Sequence, residues 1–159
     1  MGNKFRRYNF KFYLNASHAI YLSGILGQSH PHTWEISIDT IKGGEDFVQF
    51  DAVERMIESY LLAFQDRNLN QTAPFDSKNP TLETITSYFK DEIGRLLAEQ
   101  GWALIRIEVA ETPSRSYIID LSDDLMTNFD FFDATPRTPY GVTERLADEA
   151  DHLLDQILD

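Results

Sequence analysis

The 159-residue chain contains no cysteine. That excludes disulfides, thiolate metal sites and a cysteine nucleophile. It also lacks any apolar run long enough for a membrane-spanning helix, so direct membrane insertion is not expected. The N-terminal stretch MGNKFRRYNF has basic residues but no apolar core behind them. It does not read as a signal peptide, and the cytoplasm is the expected address. Basic residues are scarce: 14 Lys and Arg face 26 Asp and Glu, a net charge of −12. Such a surface repels phosphate backbones, so nucleic acid is not an expected partner; a small anion in a locally positive pocket is not excluded. There is no internal repeat, low-complexity tract or evident linker.

What is present is a globular composition, 42% hydrophobic and 13% aromatic, enough for one domain with a sizeable core. Residues 5–18 alternate, with Tyr8, Phe10, Phe12, Leu14 and Ala16 on one face. That is the pattern of a half-buried strand. Residues 30–41 alternate too, carrying Trp34, Ile36 and Ile38, and KGGED follows as a turn. Helix period begins near Asp51, with Val53, Met56, Ile57, Tyr60, Leu61 and Phe64 as its stripe. A loop spans about 66–79. The second helix opens at NPTLE, with Asn79 as its expected N-cap, and ends at Gly101. Two strands follow, WALIRIEVAE and SYIIDL, joined by the turn TPSR. The order β-β-α-α-β-β with short connections predicts an α+β fold, an antiparallel sheet with helices on one face. Residues 1–121 are expected to form this domain. Residues 122–159 read as an extension: an acidic, aromatic, turn-rich stretch, then a helix capped by Thr143 that packs on the domain or on a partner subunit.

Of only four histidines, two stand in SHPHTW, at positions 30 and 32. Side chains at i and i+2 of a strand share a face, about 7 Å apart along the chain. His30 and His32 therefore continue the inward row of Trp34, Ile36 and Ile38. His18 continues the inward row of the first strand. If the strands are neighbours, the connection over 19–29 brings those ends together. Three converging imidazoles suit zinc, with a fourth position open and Lewis-acid polarisation as its chemistry. The competing reading is a set of hydrogen-bonded core histidines. His152, among acidic residues of the last helix, reads as surface. In LIRIEVAET, Ile105, Ile107 and Val109 share a face with Glu111. Glu111 reads either as an exposed strand end or as a carboxylate accepting paired N–H donors from a flat heterocycle.

These residues carry a resemblance. NASHAI, HPH, FVQFDAVERMI, RNLN, NPTLET and VAET stand in this order over about Phe5 to Leu121. The chain thereby resembles the 6-pyruvoyl-tetrahydropterin synthase and 6-carboxy-tetrahydropterin synthase family. The resemblance implies the T-fold, a four-stranded antiparallel sheet with two helices on one face. It also implies a homo-oligomer, trimer or hexamer, with sites between subunits. By position it implies His18, His30 and His32 as zinc ligands, Glu111 as the carboxylate that anchors a pterin-like or purine-like small molecule, and Thr81 as a further ligand contact.

The departures are as specific. The family has a cysteine shortly before its His-X-His pair; the corresponding loop here is SGILGQS. The family's Asp-His dyad falls on Gln65 and Asp66, which leaves Asp66 as the candidate general base. Pro31 replaces a glycine between the two histidines and removes an N–H donor. This pattern is similar to a divergent synthase-related branch associated with membrane-bound partner systems. Two readings follow. One is a zinc-binding, lyase- or synthase-like enzyme with changed chemistry on a pterin-type substrate. The other is a non-catalytic metal-binding scaffold or ligand-binding protein serving a membrane-associated partner system.

Overall fold

In the computed structural model of the protein, residues 6–43 and 47–124 are described. Strand β1, Arg6–His18, is followed by a two-residue ribbon, β2 at Tyr21–Leu22 and β3 at Ile25–Leu26. Then come β4 at His30–Lys42, helix α1 at Phe50–Leu61 and a two-residue strand β5 at Arg67–Asn68. Helix α2 covers Leu82–Glu99, β6 covers Trp102–Thr112 and β7 covers Arg115–Asp120. The main sheet has the order β5-β1-β4-β6-β7. Its four long strands pair antiparallel; short connections join β1 to β4 and β6 to β7, while both helices lie between β4 and β6. The T-fold expectation of four strands gains one short addition, because β5 pairs in parallel with β1 through Ala16 and Ser17.

The alternation seen in sequence is the alternation of burial. Phe10, Phe12, Leu14, Trp34, Ile36 and Ile38 face one side of the sheet and join a single core. Val53, Ile57 and Leu61 of α1 and Ile85, Phe89, Ile93 and Leu97 of α2 belong to the same core, so both helices cover one face. The other face carries polar groups such as Asn9, which donates to Ser37 Oγ and Asp39 Oδ1.

Three local readings are corrected. A bulge between Asp39 and Thr40 gives β6 one extra residue. It turns Leu104 into the main core cluster; Ile105, expected there, is buried outside it. Helix α2 is capped by Thr81, whose side chain accepts from the Thr84 amide, rather than by Asn79. Asn79 is instead committed to the ribbon: its Oδ1 accepts from Tyr21 N at 2.8 Å and its Nδ2 donates to Tyr21 O at 3.0 Å. The loop between the helices is also ordered, with 3-10 turns at Leu69–Gln71 and Phe75–Ser77. Gly101 ends α2 with φ at +76°, a conformation glycine adopts without strain. No helix among the described residues is long and apolar enough to cross a membrane. The expected terminal helix, His152 and the rest of the extension from residue 125 lie outside the described residues.

Candidate metal centre

The register of β1 and β4 sets His18 opposite His30 and Ala16 opposite His32. The pleat then aims all three imidazoles to the helix side of the sheet, beyond the last apolar pair, Leu14 and Trp34. Ring centroids lie 4.6 Å apart for His18 and His30, 4.7 Å for His30 and His32, and 5.2 Å for His18 and His32. One ligand atom from each lies within 4.8 Å of the others. Trp34 forms the floor, with its ring 4.9 Å from His18 and 5.4 Å from His32. Its indole N–H donates to Ala16 O at 3.1 Å and ties the two strands together below the site.

The outer nitrogens of two rings are already committed. His18 Nδ1 lies 2.7 Å from Pro80 O, and His30 Nδ1 lies 3.0 Å from Gln28 O. A carbonyl only accepts, so both Nδ1 atoms carry a proton, which leaves Nε2 as the lone-pair atom of a neutral ring. His18 Nε2 and His32 Nε2 are buried and have no hydrogen-bond partner among the described residues. Burial pushes the His18 imidazole below its ordinary range; the Pro80 contact opposes this, and His30 and His32 reinforce it. Burial likewise pushes His32 down, opposed by Glu111 and reinforced by His30 and Arg115. Neutral imidazoles with free lone pairs are the state that accepts a cation. The backbone-anchored Nδ1 atoms are the outer support that metal-bound histidines normally have. The donor set therefore fits a divalent metal that prefers nitrogen, with room for a further ligand.

Side-chain amides hold this end of β1 in place. Asn70 Oδ1 accepts from Ala19 N at 2.7 Å, and its Nδ2 donates to Ala19 O at 2.8 Å. Together with the Asn79 clamp on Tyr21, this fixes the backbone on the C-terminal side of His18. The sequence shows both asparagines, in RNLN and NPTLE, but gives no sign of their partners.

Glu111 is buried, and its Oε2 lies 3.7 Å from His18 Nε2. It is the extra residue of a second bulge, between Ala110 and Thr112, which re-aims it at the strand end. Its Oε1 accepts from Arg115 Nε at 2.7 Å and lies 2.5 Å from Arg115 Nη2. Sequence reasoning missed Arg115, which lay inside a turn; its distance of four residues from Glu111 across that turn was the available signal. His32, Glu111 and Arg115 share a cleft of about 690 Å³ with Tyr13, Glu35 and Glu108.

The other two candidates are held by contacts of their own. The Thr81 hydroxyl donates to Thr84 Oγ1 at 3.0 Å and accepts from Thr84 N at 3.2 Å, as the α2 cap. Asp66 is exposed, with φ at +58°. Its amide donates to Asn15 O at 2.7 Å, while Gln65 bridges Asn15 N and Asp66 Oδ1. Asp66 approaches the site through a shallow cleft that His32 also lines.

Comparison with known proteins agrees with this architecture. Residues 7–121 match the family model described as 6-pyruvoyl tetrahydropterin synthase. The fold is similar to that of the Caenorhabditis elegans 6-pyruvoyl tetrahydropterin synthase, at 15% identity and a TM-score of 0.62, covering 76% of this chain and 99% of that one. It is also similar to the Plasmodium falciparum 6-pyruvoyl tetrahydropterin synthase, at 12% identity and a TM-score of 0.56, covering 72% and 96%. An uncharacterised protein from Wolinella succinogenes is similar at 11% identity and a TM-score of 0.58, covering 74% and 98%. No curated protein matches the chain.

Proposed function

Because the chain belongs to the 6-pyruvoyl tetrahydropterin synthase family, we propose that it holds zinc on His18, His30 and His32 and binds a flat, pterin-like or purine-like heterocycle against Glu111. The observation that carries this is the pair of buried Nε2 atoms, on His18 and His32, with no partner among the described residues. A buried polar atom without a partner costs about 1–3 kcal/mol. Two such atoms beside a third imidazole are costly in an empty core and suited to a cation. When bound, the metal supplies Lewis-acid polarisation to a group in the open position.

The chain's own residues do the rest. Pro80 O and Gln28 O fix the tautomers of His18 and His30. Glu111 offers a carboxylate beside the histidines, where a ring edge with N–H groups makes charge-assisted bonds. Thr81, the N-cap of α2 next to Pro80, is the further ligand contact. Proton transfer cannot use a cysteine, since the chain has none. It falls to Asp66 in a reaction changed from that of the family, or does not occur. The family frame supports a homo-oligomer, trimer or hexamer.

One observation favours the alternative, a non-catalytic metal-binding scaffold or ligand-binding protein. Glu111 is already paired with Arg115 through Oε1, so only one of its two carboxylate oxygens is left to a ligand. Metal analysis of protein purified without chelator, followed by titration with pterins and purines, separates the readings. Heterocycle binding with turnover that is lost in His30→Ala supports an enzyme. Tight binding without turnover supports the scaffold. Zinc bound without any heterocycle leaves only the metal half of the proposal standing.

A further inference from the structure

The pairing of Glu111 with Arg115 changes what the cleft can read. A free carboxylate presents two acceptor oxygens side by side and suits a ring edge with two adjacent N–H donors. Here Oε1 receives both Nε and Nη2 of Arg115, at 2.7 and 2.5 Å. Oε2 faces the histidines, 3.7 Å from His18 Nε2, beyond hydrogen-bond range. One acceptor therefore remains on Glu111. Beside it stands the outer edge of a guanidinium that donates and cannot accept. The Arg115 side chain is 63% exposed, and it lines the same cleft as Glu111 and His32. The recognition surface thus runs acceptor, then donor, away from the histidines.

Resting on the heterocycle reading above, we propose that Arg115 is a specificity-determining residue that converts the site from a two-donor reader into a reader of a lactam or imide edge, an N–H beside a C=O. The ring N–H is accepted by Glu111 Oε2, and the neighbouring carbonyl oxygen is taken by the Arg115 guanidinium. A ring whose edge carries an amino group next to the N–H must either turn that edge away or displace Arg115 from Glu111. Displacement breaks two charge-assisted bonds. An oxo group in place of the amino group meets Arg115 as an acceptor. A 2-oxo bicycle of the lumazine or xanthine type has a carbonyl on both sides of this ring N–H and meets Arg115 in either orientation; a 2-amino bicycle of the pterin or guanine type has one on one side only and meets it in a single orientation, so the substrate class is the 2-oxo bicycle in preference to the 2-amino one.

The test compares pterin with lumazine, which share a bicycle and differ at one substituent, amino against oxo. Both are titrated by calorimetry into zinc-loaded wild type, Arg115→Gln and Arg115→Lys. Wild type should bind lumazine about tenfold tighter than pterin, the size of one hydrogen bond to a charged group. Arg115→Gln should abolish or reverse that preference, because both Glu111 oxygens become free. Arg115→Lys, which keeps the charge but not the planar fork, should fall between them. A wild type that prefers pterin, or a lumazine preference unchanged in both variants, overturns the role of Arg115 and leaves heterocycle binding intact. Binding of neither ring to any of the three proteins removes the heterocycle reading, and this inference with it.

Discussion

At one end of the sheet the inward side chains of β1 and β4 close on apolar partners; at the other they end in imidazoles. Tyr8 and Phe10 pack against Phe50 and Trp102 with ring centroids 5.0–6.2 Å apart. At the far end, His18, His30 and His32 approach as closely, at 4.6–5.2 Å. Both regions use the same pleat, the same register and the same face. The difference lies in their polar atoms. The aromatic end gains by burial alone. The histidine end buries two nitrogens that find no partner among the described residues, and so is favourable only with something added. The site is a continuation of the core in which packing is exchanged for ligand atoms.

The sharpest way to test that contrast is to truncate each end. Phe10→Ala should cost about 3–5 kcal/mol, in the range of buried aromatic truncations, and lower the urea midpoint with or without metal. His32→Ala should behave oppositely. It removes a buried nitrogen without a partner, so the metal-free protein should lose little stability. Zinc affinity by chelator competition should fall at least ~100-fold, the share of one ligand in a typical zinc site. In wild type, zinc at about 100 times its dissociation constant should add about 2.7 kcal/mol, and His32→Ala should lose that increment. If His32→Ala instead destabilises the metal-free protein as much as Phe10→Ala, the histidines are ordinary core residues and the contrast disappears.

The supports of the histidine end come next in size. Asn70→Ala leaves the Ala19 amide and carbonyl unpaired and should cost about 1–2 kcal/mol in thermal melts. It should also weaken zinc about 10-fold through the loosened position of His18. The equivalent change at Asn79, which holds the more exposed Tyr21, should cost less.

Acid is a gentler perturbation with a defined sign. His18 and His32 are both held below their ordinary range, chiefly by burial. The unfolded chain therefore binds more protons than the folded one as pH falls through about 6.5. The stability from these groups is present above that pH and is lost as pH drops toward the folded values. Urea midpoints of the metal-free protein from pH 8 to 5 should show this decline, and His32→Ala should flatten it. The smallest effect belongs to the polar outer face. Lys11 and Glu35 approach to 3.5 Å with side chains 55% and 38% exposed, so Lys11→Ala should change the melting midpoint by less than ~1 kcal/mol equivalent.

How far the sequence could be read follows the same division. Period-two alternation alone placed Trp34, Ile36 and Ile38 with Phe10, Phe12 and Leu14, because a half-buried strand has only one way to hide such a row. The same alternation carried His18, His30 and His32 to one face. Their convergence then followed from the short connection between β1 and β4. What stayed hidden depends on single contacts between distant segments. The bulges at Ile105 and Glu111 insert one residue without changing composition. The Asn70 and Asn79 clamps join residues 51 and 58 positions apart. The grip of Arg115 on Glu111 needs the β6–β7 turn to be drawn before it becomes visible. Asp66 shows the limit from the other side. Its position in the chain matches an expected base, but the contacts that hold it, from its amide and from its neighbour Gln65 to the Asn15 backbone, could not be read from the sequence.

X-ray absorption at the zinc edge, on protein purified without chelator, tests the histidine centre most directly. One zinc per chain, with three imidazole nitrogens at about 2.0–2.1 Å and this first shell lost in His32→Ala, is the expected result. A chain that takes up no metal, or that holds zinc in an environment unchanged by loss of His32, would contradict it.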